Sequence, residues 1–401
     1  MYLELPKKLK GLQQMSSSLA AEMFRPISRK YDKAEHEYPK ELDMIASMLD
    51  GMNDGEQGGV AGATQSSKSK KSDDGGVRNG SNMASLVGIQ ELCWGDTGLL
   101  LTMPRQGLGN AAIAAVANEE QLERFKGKWA AMAITEPGAG SDSASIRTTA
   151  KKDGDYYVLN GEKIYITSGE RADIIVVWAT LDPSLGRAAI KSFAVEKGTP
   201  GLTLARLEHK LGIRASDTAA YILDNCRVHK DNLLGDPEIN VEKGFAGVME
   251  TFDNTRPLVA GMAVGVAQAS LDKTKEMLKE RLQDKYTTPV NNLSAVEAEI
   301  CKMEAEWEAA RLLTLKAAWM ADNAMPNSKE ASMAKAKAGR MANAITLKCV
   351  ELCSGLGYGE TELLEKWARD SKILDIFEGT QQIQQLIVAR RLLNKTSAEL
   401  K

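Results

Sequence analysis

Residues 156–180 read YYVLNGEKIYITSGERADIIVVWAT, three β-rich runs (Tyr156–Leu159, Lys163–Thr167 and Ile174–Thr180) parted by turn residues. Branched and aromatic side chains suit a pleated, half-buried surface, so short runs of them bounded by Gly, Asn or Asp predict strands. Asn160-Gly161 predicts a hairpin, because both central positions of the favoured two-residue turn need positive φ. Working outward, Lys191–Glu196 and Ala219–Leu223 have the same texture, with Asp153-Gly154, Pro183 and Pro200-Gly201 as further turns. Strands this short, at this spacing, predict an antiparallel barrel or sandwich.

On both sides the apolar period lengthens to that of a helix. Residues 10–50 carry Leu19, Met23 and Ile27, then Leu42, Ile45 and Met48, at helical spacing, with Pro26 and Pro39 as breaks, and 83–127 is Ala- and Leu-rich as far as Gly127. Segments 243–286, 294–322, 328–354 and 361–393 are long, poor in breakers and rich in Ala, Leu, Glu, Lys and Met, which predicts an up-down bundle. The expected class is α+β multidomain: an N-terminal helical domain over 1–129, a central antiparallel β-barrel or sandwich domain over 130–240, and a C-terminal four-helix bundle over 241–401. Residues 51–82 hold eight of the chain's 34 glycines and almost no large apolar side chain. Such a stretch buries too little surface to offset its ordering entropy, and a long loop is expected there, either a disordered insertion or a lid over a ligand.

The 51 Lys+Arg and 54 Asp+Glu leave a net charge of −3, which argues against nucleic acid as the main partner. No apolar run approaches the roughly 20 residues needed to span a bilayer. The opening MYLELPKKLKG lacks the apolar core of a secretory signal, and five scattered cysteines suit a reducing compartment, so a cytoplasmic protein is expected. The three histidines are far apart along the chain, which argues against a His-rich metal site.

Three segments carry candidate chemistry. Ala133–Asp142, AITEPGAGSD, sets several backbone N–H groups in a Gly-rich turn beside the hydroxyls of Thr135 and Ser141, a composition that can cradle a carbonyl-rich ring or a phosphate, or be an ordinary turn. Lys163–Gly169, KIYITSG, ends a strand in an aromatic residue, two hydroxyls and a glycine. In Asp370–Gln384, Glu378 stands between Phe377 and Gly379; an apolar pocket would raise its pKa toward that of a useful proton acceptor, while a simpler role is to charge the start of the next helix.

In order and spacing these segments, with LGIRASDT at 211–218, FDNTRP at 252–257 and IFEGTQQIQ near the end, resemble the acyl-CoA dehydrogenase family over about residues 85–395. The resemblance implies FAD as cofactor and oxidation of the Cα–Cβ bond of an acyl-CoA thioester, with Glu378 at the position of the α-proton base. Thr255 stands where some relatives place that base instead, and it cannot serve. It further implies that Met132, Ile134 and Thr135 line the flavin, that Ser141 faces its pyrophosphate or the substrate, and that Tyr165 replaces a common Trp over the ring with Thr167 beside it. Thr380 and Gln382 match positions near the nucleotide half. Asp253, Thr255 and Arg256 match the CoA-contacting helix, and Phe377 and Gly379 flank the substrate.

Departures from the family pattern are local. Arg281 lacks the Phe-Gly that normally follows it on the way to a neighbouring subunit's flavin, and Glu351, ahead of Gly355, replaces a glutamine and would repel a pyrophosphate. The implied partners are an acyl-CoA, an electron-transferring flavoprotein as electron acceptor, and further subunits in a homo-tetramer, dimer or heteromer. An acyl-CoA oxidase, or a non-catalytic subunit of a heteromeric dehydrogenase, is the alternative.

Overall fold

The computed structural model describes residues 5, 7–53, 80–105, 107–239, 246–282, 289, 292–396 and 399; the side chains of residues 8, 48–53 and 246–254 fall outside the described set. Most of the expected polar loop, residues 54–79, therefore lies outside the described residues. Its two ends are helical: residues 51–53 close one helix and Ser81 opens the next.

The N-terminal part is α1 (Lys7–Leu19), α2 (Arg25–Lys33), α3 (Glu41–Asn53), α4 (Ser81–Gly95), α5 (Thr97–Leu100), α6 (Leu108–Val116) and α7 (Glu119–Arg124). Leu42 and Ile45 of α3 are buried with Phe24, Tyr31, Leu86, Ile89 and Leu92, as their spacing predicts. Helix α4 is apolar on nearly every side because it is wrapped by α1 and by two long helices of the C-terminal part.

The middle is one curled sheet: β1 (Ala130–Ala133), β2 (Thr149–Asp153), β3 (Tyr156–Thr167), β4 (Ile174–Thr180), β5 (Ile190–Glu196), β6 (Leu202–Leu207) and β7 (Thr218–His229), in the order β1-β4-β2-β3-β7-β6 with β5 also on β4. It is mainly antiparallel, as expected, but β1 and β2 run parallel to β4. All of β4 is buried. Ile175, Val177 and Ala179 point into one apolar cluster and Ile174, Val176 and Trp178 into the other, the two-residue period of a strand covered on both faces.

The hairpin expected at Asn160-Gly161 does not form. β3 runs straight through it, with a register shift against β7 between Leu159 and Gly161. Glycine is required there by crowding, since a Cβ at Gly161 would collide with Thr148. The real β2–β3 turn is one step earlier, at Gly154.

The C-terminal part comprises α8 (Ala246–Met277), α9 (Ala295–Asp322), α10 (Ser328–Leu352), α11 (Ser354–Tyr358), α12 (Leu364–Ser371) and α13 (Gln381–Leu393). Helix α10 packs against α8, α9, α12 and α13 through a core rich in alanine, including Ala260, Ala263, Ala334, Ala338 and Ala342. The segment 361–393 expected as one helix is broken between α12 and α13. None of the described helices is long and apolar enough to cross a membrane. All five cysteines are free, and Cys93, Cys226, Cys349 and Cys353 are buried.

One buried cluster ties the three parts together. Lys366 Nζ lies 2.7 Å from Asp96 Oδ2 and 2.5 Å from Asp370 Oδ2, and the Ile213 amide donates to Asp370 Oδ1 at 2.5 Å. Asp96 comes from the N-terminal helices, Ile213 from the β6–β7 connection, and Lys366 and Asp370 from α12.

Candidate functional site

The break in the last helix is where the chemistry gathers. Glu378 adopts φ +57° and Gly379 φ +93°, two successive left-handed residues through which no right-handed helix continues. Thr380 then caps α13, its hydroxyl accepting from the Ile383 amide at 3.4 Å. Two side chains pin the turn from outside. Gln384 Nε2 donates to the Glu378 carbonyl at 2.9 Å and to the Gly379 carbonyl at 3.1 Å, and Lys335 Nζ of α10 donates to the Gly379 carbonyl at 2.7 Å.

From α8, Thr255 Oγ1 donates to Glu378 Oε2 at 2.5 Å. That bond orients the carboxylate and leaves its other oxygen for a further partner. Enclosure raises the Glu378 pKa above the ordinary carboxylate range, against the opposing pull of the Thr255 bond and the Arg256 and Lys335 charges. The Lys335 amine is pushed down to about 8, mainly by burial, with the Asp375 and Glu378 charges opposing and Arg256 adding to it. The structure thus joins Glu378, Thr255, Arg256 and Gly379, with Phe377 half-buried against the bundle core. Asp253 is on α8, but its side chain lies outside the described residues.

A second group forms on the sheet. After β1 the chain turns tightly through Glu136–Ala139, whose N–H and C=O groups pair reciprocally at 3.2 and 3.1 Å. Beneath that turn, the Glu136 carboxylate accepts from the amides of Arg147 (2.6 Å) and Thr148 (2.9 Å), the Thr148 hydroxyl (2.5 Å) and Lys163 Nζ (2.7 Å). Lys163 also donates to the Ile134 carbonyl at 2.9 Å, and Ile164 N to the Thr135 carbonyl at 2.9 Å, so β3 and the glycine turn are stapled together. Above the staple, Gly138 and Gly140 have open space where a Cβ would be, Ser141 is exposed and Thr135 and Thr167 are half-buried. Tyr165, at φ +58° in a register shift of β3, is 63% exposed. Met132 is half-buried, while the Ile134 side chain is turned into the sheet's core, leaving only its backbone near the turn.

The two groups are joined through the β6–β7 connection: Ser168 N donates to the Asp217 carbonyl at 3.0 Å, and Ile213 of that connection bonds Asp370, eight residues before Glu378. The remaining expected residues lie elsewhere. Thr255 and Lys335 are near the starts of α8 and α10, whereas Arg281, Glu351 and Gly355 are past or near their other ends, about 25–40 Å away at ~1.5 Å of rise per residue. There they are exposed, and Lys348 neutralises Glu351 at 2.6 Å. Gln382 is exposed on α13.

Sequence reasoning missed Lys335, Gln384, Glu136 and Lys163. The signal for Lys335 was present: it follows Ala334 and sits between Ala331 and Ala338, residues of a single buried helix face.

Residues 131–226 match the acyl-CoA dehydrogenase middle domain, and residues 242–393 match the acyl-CoA dehydrogenase C-terminal domain. The chain is 36% identical to the mitochondrial short-chain specific acyl-CoA dehydrogenase of Bos taurus, over 97% of this chain and 91% of that one. It is also 36% identical to the caffeyl-CoA reductase-Etf complex subunit CarC of Acetobacterium woodii, over 80% and 85% of the two chains. Among solved structures, butyryl-CoA dehydrogenase from Megasphaera elsdenii superposes with a TM-score of 0.83 at 30% identity, covering 98% of this chain and all (100%) of that one.

Proposed function

The chain belongs to the acyl-CoA dehydrogenase family of FAD-dependent oxidoreductases, and from that premise we propose that it desaturates a short-chain acyl-CoA at Cα–Cβ, with Glu378 as the base that takes the α-proton. The observation that carries this reading is the half-buried Glu378 carboxylate, raised in pKa by desolvation and held by one hydroxyl on one oxygen. A carboxylate whose pKa is raised, with a free oxygen and a fixed orientation, is suited to general-base work, which contributes about 10²–10⁴ of rate.

FAD, when bound, supplies the acceptor for the β-hydride. The residues present fit it. The open, donor-rich turn at 138–141 suits a phosphate or ring carbonyls, the exposed Tyr165 offers an aromatic face, and the hydroxyls of Thr135 and Thr167 lie on adjoining strand ends. Met132 and the Ile134 backbone complete that wall. Lys163 and Glu136 act beneath it, fixing the turn without touching the ring.

On the substrate side, Thr255 aims the carboxylate, while Lys335 and Gln384 hold the two carbonyls of the turn and keep Glu378 from relaxing into a helix. Arg256, Asp253, Phe377 and Gly379 are assigned to the acyl-CoA. Arg281, Glu351 and Gly355, with Thr380 and Gln382, are assigned to nucleotide contacts; the first three, distant from Glu378 along their helices, are assigned to a cofactor on another subunit. Electrons then pass to an electron-transferring flavoprotein, a partner suggested by the relative from an Etf complex.

A second reading, enoyl reduction by the same residues, is favoured by two relatives named reductases, the CarC subunit and a 3-(aryl)acrylate reductase of Clostridium sporogenes. Glu378 would then give its proton to Cα, a role its raised pKa also suits.

The test is anaerobic mixing of the oxidised, FAD-loaded protein with butyryl-, octanoyl- and palmitoyl-CoA. Fast flavin bleaching is expected with butyryl-CoA; bleaching by none of the three overturns the dehydrogenase reading. Rapid reoxidation of the reduced protein by air rather than by flavoprotein would reassign it as an oxidase.

A further inference from the structure

Two of the three histidines, separated by most of the N-terminal half in sequence, meet in the fold. The rings of His36, in the α2–α3 link, and His209, in the β6–β7 connection, have centroids 5.2 Å apart and are tilted by 57°. Glu35 completes the group: its Oε2 lies 2.9 Å from His209 Nδ1, and one ligand atom from each of Glu35, His36 and His209 falls within 4.8 Å of the others.

An independent feature of His36 points to a missing ligand. Both of its ring nitrogens are shut off from solvent, and neither has a hydrogen-bond partner. An imidazole with neither nitrogen satisfied is a costly arrangement.

We propose that Glu35, His36 and His209 bind one divalent cation of the zinc class, with solvent as the fourth ligand. Two imidazoles bound at about 2.0–2.1 Å to one tetrahedral cation place their ring centres roughly 5 Å apart, which is the spacing here. The two-His, one-carboxylate set selects zinc, cobalt or nickel over magnesium and calcium, which prefer oxygen alone. The second shell is in place: Glu35 Oε1 accepts from the Lys210 amide at 2.9 Å, which fixes the carboxylate with Oε2 toward the histidines. The Lys210 and Arg214 charges nearby weaken the site, so it is of moderate affinity. A bound cation joins the N-terminal helices to the connection that carries Ile213, beside the Arg171 guanidinium that already donates to the His36 and Glu37 carbonyls at 3.1 and 3.0 Å.

The test is calorimetric titration of Zn²⁺ into tag-free, chelator-stripped, FAD-loaded protein. One equivalent per chain is expected, with affinity falling at least tenfold in His209→Ala and in His36→Ala, and unchanged in His229→Ala. Because the His209 side chain is 83% exposed, its loss leaves the fold intact and the result interpretable. The proposal is overturned if no saturable binding occurs, if His209→Ala binds as tightly as the parent, or if His229→Ala abolishes binding. Co²⁺ in place of Zn²⁺ is expected to give the intense visible absorption of a tetrahedral site.

Discussion

Two lysines are fully buried in the C-terminal helices, and they do opposite things. Lys366 is in contact with Asp96 and Asp370; burial alone would lower its pKa, but the two carboxylates outweigh that and hold it above the ordinary value. Lys335 touches no carboxylate. It donates to the Gly379 carbonyl and influences Glu378 only across space, so burial wins and its pKa falls to about 8, while that of Glu378 rises. The difference lies in the lysines: direct contact with two carboxylates holds Lys366 charged and ties three parts of the fold together, whereas Lys335, in contact with a carbonyl alone, leaves the Glu378 carboxylate to other partners.

That contrast can be broken by experiment. Lys366→Met leaves two buried carboxylates facing each other and is expected to cost about 3–5 kcal/mol in denaturant unfolding. A loss below 1 kcal/mol would mean the cluster is solvated. Glu378→Gln is expected to keep FAD but lose roughly 10²–10⁴ in the rate of flavin bleaching, since an amide cannot take the proton; an undiminished rate removes Glu378 from the mechanism. Lys335→Met removes a charge that favours ionised Glu378, so the acid limb of the bleaching-rate profile should move to higher pH, with a loss at neutral pH of roughly tenfold. Lys335→Arg should restore the limb, and a Lys335→Met protein that merely unfolds like Lys366→Met would erase the distinction. The smallest effect concerns stability. A group whose folded pKa is raised stabilises below its unfolded pKa and loses that contribution as pH climbs through the folded value. Glu378→Gln, which mimics the protonated form, should therefore melt slightly higher than the parent at pH 7, with the difference closing below about pH 4.5, the ordinary glutamate value.

How far the sequence reveals this depends on whether a signal is local. Helix–sheet–helix order was legible because apolar period is a short-range property, whereas Phe377 and Gly379 alone leave Glu378 open between a proton acceptor and a charge at a helix start. Asn160-Gly161 misled because glycine serves close approach as well as turns, and only the contact with Thr148 tells which. Lys366 and Lys163 carry no local mark of burial, since their partners Asp96 and Glu136 come from other elements. The same separation hid His36 from His209. Ile134, placed at the ring by resemblance, turns its side chain just past β1 into one apolar cluster with Ala130 and Ile174.

The buried cysteines have a bearing on durability. A flavoenzyme whose reduced cofactor meets oxygen makes peroxide at its own surface, and the thiolate is the form that peroxide attacks. Burial pushes the Cys226 thiol to about 11 and Cys349 to about 12, and raises Cys93 and Cys353 as well. Those four are kept as unreactive thiols, and only the partly exposed Cys301 is left within reach of an oxidant or an alkylating label.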